Sequence, residues 1–243
     1  MYTFQGDDIL KFTVDKKVFE KLPDVFFGVV VGYGIDNTTK HPEISKMLED
    51  EAKNLHKLLE GKNLKEYELI IPYREAFISL EINPNKYMSS IEAMAKRISK
   101  GNLLPSINSI VDLANAISLK YLLPMGAHDI DALEGDILVR FATENDIFIP
   151  LGSREIEKVD KDELVYADNK SVRTRRWIWR QSDRGKITEK SKNIFFPIDG
   201  FENSNKDSVI AATNLLYDLL QEHFKCKVKK CFLHKDSNEV EVR

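Results

Sequence analysis

A histidine with carboxylate neighbours stands near the middle of the chain, where His128 precedes Asp129 and Asp131. An imidazole beside a carboxylate can orient a water molecule for attack on an ester. The same three residues also fit a turn in which backbone groups satisfy the histidine. Both interpretations remain open from these residues alone, and the first of them predicts hydrolytic chemistry.

Two polar residues upstream, Asp112 and Asn115, are three positions apart in a stretch with helical periodicity, so they share one helix face. On that face they could position a substrate together. Alternatively, their side chains could tie the helix to the next loop by hydrogen bonds. We favour the structural role for Asp112 and the functional role for Asn115.

Positive charge is concentrated in one part of a chain that is otherwise nearly neutral. The 243 residues include 36 Lys and Arg and 39 Asp and Glu, for a net charge of -3. Residues 170–192 contain nine basic side chains against two acidic ones, a surplus of seven positive charges. The nine are Lys170, Arg173, Arg175, Arg176, Arg180, Arg184, Lys186, Lys190 and Lys192. A second cluster consists of Lys225, Lys227, Lys229 and Lys230. Such clusters either contact phosphates or form a solvated face that acids from elsewhere balance.

Alternation predicts a strand over residues 172–180, with two tryptophans between arginines. One face of this strand carries Arg173, Arg175, Trp177 and Trp179. The other face carries Arg176, Ile178 and Arg180. Aromatic and guanidinium groups in this pattern suit stacking on nucleobases together with contacts to phosphates. The alternative is that both tryptophans fill the core and the arginines form salt bridges beside them.

Composition is typical of a globular protein without membrane helices or disulfides. The chain is 42% hydrophobic and 31% charged, and no run approaches the ~20 apolar residues of a membrane span. Residues 1–8 lack the basic and apolar regions of a signal peptide, so we expect a cytoplasmic protein.

The only thiols, Cys226 and Cys231, lack the further ligands of a zinc site. The histidines in helix-end or surface contexts without evident partners are His41, His56, His223 and His234. We therefore expect neither a metal nor a cofactor.

The elements that must position these residues follow an irregular order. Strands are predicted at 12–14, 25–31 and 80–82, helices at 42–59, 90–100 and 107–121, and several short strands between 136 and 196. A helix over 206–224 and a hairpin of 228–233 with 240–242 follow. This order predicts an α+β fold rather than a repeating βαβ wind. The sequence contains no dinucleotide fingerprint, P-loop, zinc-protease or nucleophile-elbow motif.

Several separated blocks resemble the B3/B4 module of the bacterial phenylalanyl-tRNA synthetase β subunit. The family pattern P-x-I-N-x-x-V-D-x-x-N is matched from Pro105 to Asn115. The pattern P-L-H-A-F-D-x-D-x-L, with a following strand, is matched in part from Pro124 to Arg140. The resemblance covers roughly residues 73–200. It implies a B3/B4-like fold with a central mixed or antiparallel sheet and flanking helices. We expect residues 1–72 to be a β/α extension packed on a main domain, residues 73–243, which ends in the predicted helix and hairpin.

The resemblance also implies a function. In that family the module hydrolyses the ester of tRNA for phenylalanine wrongly charged with tyrosine, an error that binding alone does not exclude. Since this chain has no synthetase catalytic core, we expect a freestanding aminoacyl-tRNA hydrolase with tRNA as its partner. His128 and Asn115 are the expected catalytic residues, which orient a water molecule at the ester. The residues expected to bind the substrate or the acceptor end of tRNA are Asp112, Gly126, Asp129, Arg175, Arg176, Trp177, Trp179, Arg180, Gln181 and Lys186.

Three positions depart from the family pattern. The family histidine falls on Gly126 and the family phenylalanine on His128, so the histidine moves by two positions and stays on one face of a strand. The family's run of small residues falls on 174–181, where Trp177 must fill or remodel the amino-acid pocket. The family glutamate that contacts the tyrosine hydroxyl falls on Pro197. We therefore expect the amino acid to differ from tyrosine.

Two other functions fit the same residues. A noncatalytic module could bind tRNA, a free amino acid or a nucleotide, and a small-molecule hydrolase or regulator could keep the fold with another ligand. The position of the basic segment discriminates among them, because a segment that acts on tRNA should lie beside the pocket.

Overall fold

The computed structural model describes residues 9–243. The prediction about a signal peptide concerns residues 1–8, which lie outside the described residues. The helices are α1 (Lys16–Lys21), α2 (Pro42–Leu59), α3 (Ile71–Ser79), α4 (Ser90–Ser99), α5 (Ser109–Tyr121) and α6 (Lys206–Phe224). The strands are β1 (Lys11–Val14), β2 (Val25–Tyr33), β3 (His128–Asp129), β4 (Ile137–Phe141), β5 (Ile147–Phe148), β6 (Glu157–Lys158), β7 (Leu164–Ala167), β8 (Val172–Arg175), β9 (Arg180–Gln181), β10 (Ile194–Phe201), β11 (Lys227–Leu233) and β12 (Glu239–Glu241).

Two larger sheets contain most of these strands. The six-stranded sheet has the order β12-β1-β4-β7-β8-β9 and is mixed, because β1 runs parallel to β4 while the other pairs are antiparallel. The four-stranded sheet has the order β11-β2-β10-β3 and is antiparallel throughout. A separate pair joins β5 to β6. The predicted hairpin of 228–233 with 240–242 is wrong, because β11 pairs with β2 in one sheet and β12 pairs with β1 in the other. The predicted α+β class with a mixed sheet and flanking helices is confirmed.

Side chains alternate along β10, so each face of the four-stranded sheet meets a different neighbour. Phe195 packs against Phe12 of β1 with ring centroids 4.8 Å apart, and this face therefore meets the six-stranded sheet. Asp199 follows further along β10 on the same face. The opposite face is covered by α6, which approaches so closely that a Cβ atom on Gly28 of β2 would overlap Thr213 Oγ1.

Helix α5 packs against both α2 and α6. The predicted helices over 42–59 and 206–224 are confirmed, and the helix predicted over 107–121 begins two residues later, at Ser109. Asn108 caps that helix by accepting a hydrogen bond from the Val111 amide at 3.0 Å. The strand predicted at 80–82 is wrong, because these residues form the turn that follows α3.

The strand predicted over 172–180 is also wrong. Strand β8 ends at Arg175, and residues 176–179 form a turn before β9 begins at Arg180. Arg176 and Trp177 have φ angles of 45° and 60°, a left-handed conformation that is uncommon for bulky residues. The Trp177 amide donates a hydrogen bond to the Leu164 carbonyl at 2.6 Å, which fixes the turn on β7. The predicted alternation of faces therefore does not hold beyond β8.

Strands from both sides of residue 72 share the two larger sheets. Strand β1 lies between β12 and β4, and β2 lies between β11 and β10. The division into an extension of residues 1–72 and a main domain of 73–243 stays a prediction. Over residues 9–243, none of the helices combines the length and the apolar character needed to cross a membrane.

Candidate functional site

A small cleft lies where the two larger sheets meet, with a cavity volume of about 70 Å³. Strand β10 and the segment before β3 form one wall, and β7, β8 and the turn after β8 form the other. Six predicted site residues line it: Gly126, His128, Trp177, Trp179, Arg180 and Gln181. Pro197, the position of the family glutamate, lines it as well. The basic segment therefore lies beside the cleft, although most of its charged groups are engaged elsewhere.

His128 is buried against the ring of Tyr166, with ring centroids 6.1 Å apart. Its strand, β3, pairs with β10, which places His128 opposite Phe195. Among the described residues, none offers a hydrogen-bond partner to His128 Nδ1. Burial, followed by the positive charge of Arg173, lowers the pKa of His128 from 6.5 to about 3. The imidazole is therefore neutral at physiological pH.

Gly126 makes room for this histidine. A Cβ atom at position 126 would stand 3.1 Å from both His128 Nε2 and Pro197 Cγ, closer than ordinary van der Waals contact. The Gly126 amide also donates a hydrogen bond to the Pro197 carbonyl at 2.9 Å. The shift of the histidine from 126 to 128 and the proline at 197 are thus parts of one packing arrangement. Nε2 is the imidazole nitrogen on the side of Gly126 and the cleft.

Asp199 is the carboxylate of the cleft, and it is not among the site residues predicted from the sequence. Its Oδ1 atom accepts hydrogen bonds of 2.7 Å from Tyr166 Oη and of 2.7 Å from Trp177 Nε1. Its backbone carbonyl accepts a hydrogen bond from Tyr73 Oη at 2.9 Å. Burial raises the pKa of Asp199 from 3.8 to about 7, against the opposing effect of its two side-chain donors. One signal was available, because a lone carboxylate in an otherwise apolar strand needs buried partners or a ligand.

The cleft therefore combines two ionisable groups whose pKa values are shifted in opposite directions. A neutral imidazole accepts or donates a hydrogen bond to water without adding charge. A carboxyl group with a pKa near 7 can be ionised by a cationic ligand or can exchange a proton near neutrality. Within the described part of the chain the cleft offers one imidazole and one carboxylate, fewer than the three protein ligands of a catalytic zinc site.

Six predicted site residues lie outside the cleft, and Asp112, Asn115 and Asp129 are three of them. Asn115 is half-buried on α5, and the structure does not bring it to His128 at the cleft. Asp112 accepts hydrogen bonds from the Ile107 amide at 2.9 Å and from Ser106, which ties α5 to the preceding loop. Asp129 accepts a hydrogen bond from Ser191 Oγ at 2.6 Å and another from the backbone of Asp131. The contacts of both aspartates hold neighbouring segments of the chain together.

The predicted tRNA contacts Arg175 and Arg176 are buried and paired with acids. Arg175 contacts both carboxylate oxygens of Glu163, at 3.0 and 2.8 Å. Arg176 contacts Asp160 at 2.7 Å and stacks over the ring of Tyr87 at 3.8 Å from its centroid. These arginines therefore support the turn that carries Trp177. This arrangement agrees with the alternative in which the arginines form salt bridges beside core tryptophans.

Most of the positive surplus of residues 170–192 is neutralised in the same way. Seven of the nine basic side chains lie within 3.7 Å of a carboxylate oxygen. Lys186, exposed and outside the cleft, contacts Asp183 at 2.8 Å. Arg180, whose contact with Glu157 is the longest at 3.7 Å, is 42% exposed and lines the cleft. Arg180 is therefore the basic residue of the cleft that remains accessible to a ligand.

Comparisons with known proteins agree with the geometry. A family model described as the B3/4 domain matches residues 72–225. The phenylalanine–tRNA ligase beta subunit of Idiomarina loihiensis is 39% identical over 90 residues, which cover 37% of this chain and 11% of the relative. The beta subunit of Fusobacterium nucleatum is 36% identical over 127 residues, 51% of this chain and 15% of the relative. This chain therefore spans only a small part of the length of the curated relatives it matches.

A solved structure extends the likeness to the whole fold. It is an N-terminal fragment of the phenylalanyl-tRNA synthetase beta-subunit from Pyrococcus horikoshii, and the comparison covers 100% of this chain and 56% of the fragment. The TM-score is 0.52 at 15% sequence identity. At this identity the comparison shows a shared fold, and the predicted B3/B4-like architecture is confirmed.

Proposed function

The chain belongs to the B3/4 domain family, and from this premise we propose that it is a trans-acting aminoacyl-tRNA hydrolase. The reaction is hydrolysis of the ester between a wrongly attached amino acid and the terminal adenosine of tRNA. Water adds to the ester carbonyl, the ribose oxygen leaves with a proton, and the products are the free amino acid and intact tRNA. The partner is the acceptor end of tRNA, and the compartment is the cytoplasm.

One observation carries the proposal: a neutral imidazole and a buried carboxyl group with a pKa near 7 line the same cleft. His128 Nε2 accepts a hydrogen bond from the hydrolytic water and orients it toward the ester carbonyl. Asp199 uses Oδ2, which accepts no hydrogen bond from the described residues, to receive the ammonium group of the aminoacyl ester. The positive charge of that ammonium group favours the ionised carboxylate at neutral pH. The role of Asn115 stays a prediction from the resemblance.

Two residues at the cleft are suited to hold the terminal nucleotide, and a third joins the cleft walls. Trp179 is half-buried, with the ring of Tyr87 edge-to-face at 4.9 Å and the Arg176 guanidinium 4.8 Å over its own ring, and its exposed part stacks on the base. Arg180 is accessible for a phosphate contact. Gln181 donates from Nε2 to the Ala127 carbonyl at 2.8 Å and thereby joins the two walls of the cleft.

The size of the cleft bears on the amino acid. The cleft is small, with a cavity volume of about 70 Å³. That space suits a small side chain together with the attacking water and does not suit a tyrosine. The fully buried Trp177 occupies the region where the family has small residues. We therefore propose that the amino acid released is smaller than tyrosine.

The test is deacylation of tRNAs charged with a panel of small, β-branched and aromatic amino acids. We expect one ester with a small amino acid to be cleaved fastest. His128→Ala should lower kcat by about 100-fold or more, as loss of a catalytic histidine does. Asp199→Asn keeps the shape of the side chain and should lower kcat/KM by about 10- to 100-fold, as loss of a hydrogen bond to a charged group does.

Lys57→Ala is the control, because it removes an exposed charge on α2, outside the cleft. Its rate should equal that of the wild-type protein. If no ester in the panel is cleaved faster than in buffer, the hydrolase proposal fails.

A second candidate, a noncatalytic module that binds tRNA, is favoured by one observation. The pKa of His128 near 3 leaves the imidazole with little basicity for proton abstraction. The cluster Lys225, Lys227, Lys229 and Lys230 is exposed and would supply the phosphate contacts. This candidate predicts tRNA affinity that falls steeply with salt while every ester stays intact. Equal affinity for tRNA and an unrelated polyanion would argue against it.

A further inference from the structure

Two histidines far apart in the sequence meet on one glutamate outside the cleft. His41 Nδ1 lies 3.1 Å from Glu43 Oε1, and His223 Nδ1 lies 3.2 Å from the same oxygen. His41 precedes α2, Glu43 lies in the first turn of α2, and His223 lies in the last turn of α6. From the sequence alone, both histidines lack evident partners. The structure corrects this, because the start of α2 and the end of α6 bring them together.

The spacing of these three groups fits a metal site. A tetrahedral Zn²⁺ ion with bonds of about 2.0–2.1 Å separates its ligand atoms by about 3.3 Å. The two nitrogen-to-oxygen distances are close to that value, and the ligand atoms of all three residues lie within 4.8 Å of one another. Only the His41 contact has hydrogen-bond geometry, so hydrogen bonding accounts for one of the two close approaches. Two imidazoles and one carboxylate form a donor set that zinc favours.

The surrounding structure holds the ligands and leaves one side open. The ring of His41 packs against Phe224 with centroids 4.7 Å apart, and the His41 amide donates to Ser109 Oγ at 3.1 Å. The two histidine side chains are 13% and 19% exposed, whereas Glu43 is 51% exposed. The site therefore has a preformed inner face and an outer face where water can complete a tetrahedral shell.

We propose that His41, Glu43 and His223 bind one Zn²⁺ ion, with water as the fourth ligand. The ion links the start of α2 to the end of α6 and so braces the helical layer that packs on the four-stranded sheet. The nearby thiols do not compete for it. Burial raises the pKa of Cys231 to about 11 and also raises the pKa of Cys226, which disfavours the thiolate forms that bind zinc.

The experiment measures zinc content and affinity in the full chain. The metal-stripped protein is titrated with ZnCl₂ in competition with a chromogenic chelator, and bound zinc is then counted after gel filtration. We expect one equivalent per chain in the wild-type protein. His223→Ala and Glu43→Gln should each weaken zinc binding by at least about 100-fold, because each removes a direct ligand and even outer-shell losses cost 10- to 100-fold.

Two control variants separate this site from other zinc-binding groups. His234→Ala removes a half-buried histidine outside the site, and Cys226→Ser removes the thiol that follows α6, so both variants should keep one equivalent of zinc. Circular dichroism of each variant checks that the fold is retained. The proposal is overturned if the wild-type protein takes up no zinc, if His223→Ala binds as tightly as the wild type, or if Cys226→Ser loses the ion.

Discussion

Trp177 Nε1 donates a hydrogen bond of 2.7 Å to Asp199 Oδ1, and the chain buries both side chains almost completely. The turn that carries Trp177 has two consecutive residues with left-handed φ angles, a conformation that costs free energy in non-glycine residues. The hydrogen bond and the burial of the indole offset that cost. Tyr166 donates to the same oxygen, which leaves the other carboxylate oxygen for a ligand. One pair of residues thus links the strain of the turn to the chemistry of the cleft.

Asp199→Asn should change how stability depends on pH. The pKa of Asp199 is about 7 in the folded protein and 3.8 without the fold, so between these values the folded state binds more protons than the unfolded state. This group therefore lowers the free energy of unfolding as pH rises, with a slope approaching about 1.4 kcal/mol per pH unit. The variant has no titrating carboxyl group at position 199 and does not lose this stability. The free energy of unfolding of the variant minus that of the wild type should therefore increase from pH 4 to pH 7. Urea unfolding of both proteins at several pH values measures this difference. A difference that stays constant with pH would contradict the prediction.

His128→Gln should change the pH dependence of stability in the opposite direction. The folded-state pKa of His128 is about 3 and its ordinary value is 6.5, so over this range the unfolded state binds more protons. The wild-type protein therefore gains stability from this group as pH rises, and loses it as pH falls toward 3. The free energy of unfolding of the wild type minus that of the variant should grow between pH 3 and pH 6.5. Parallel stability curves for the two proteins in the same urea titrations would refute the assignment of a buried neutral histidine.

Glu163→Gln should destabilise the turn after β8. Glu163 is 3% exposed and is the nearest counter-charge of Arg175, so the substitution leaves that buried guanidinium with only its longer contacts to Glu157 and Asp160, at 3.3 and 3.4 Å. We expect the free energy of unfolding to fall by about 3 kcal/mol or more. Asp160→Asn is the control in the same cluster, because Asp160 is 73% exposed. This substitution should lower the free energy of unfolding by less than about 1 kcal/mol. Equal losses in the two variants would show that burial does not decide the cost here.

Gly28→Ala should be costly alone and less costly together with Thr213→Ala. The added Cβ atom would overlap Thr213 Oγ1 and stand 3.0 Å from Val209 Cγ1, so α6 must move away from the sheet. We expect a loss of about 1–3 kcal/mol for the single change. In the double variant the overlapping hydroxyl is gone, so its loss should be smaller than the sum of the single losses by at least about 0.5 kcal/mol. Strict additivity in thermal or urea unfolding would mean that α6 is not seated on this glycine.

The parts of the fold that the sequence predicts well are those set by local periodicity. Helix α2 buries one side chain per turn, at Ile44, Leu48, Ala52, Leu55 and Leu59, and its prediction needs only that spacing. The apolar run of β2 predicts a strand buried on both faces, and eight of its nine residues are buried. The spacing of apolar residues is enough to predict a helix or strand whose buried residues follow one regular pattern.

The turn at 176–179 could not be predicted in the same way. It contains no glycine, proline or asparagine, and its alternating residues have strong strand preference. The turn depends on contacts from remote parts of the chain, among them the Leu164 carbonyl and Asp199. The approach of His41 to His223 is remote in the same sense, because it depends on how α2 and α6 pack. Sequence spacing carries no signal for either arrangement.

The pairing of β1 with β12 sets where the polypeptide enters and leaves the fold. Lys11 lies opposite Glu241, and the Val242 amide donates to the Leu10 carbonyl at 2.8 Å. Adjacent ends of this kind let a module be spliced into the surface loop of a host protein without pulling the host apart. They also let Ile9 and Arg243 be joined by a short linker and the chain be reopened elsewhere, so a circular permutant of residues 9–243 should keep both sheets.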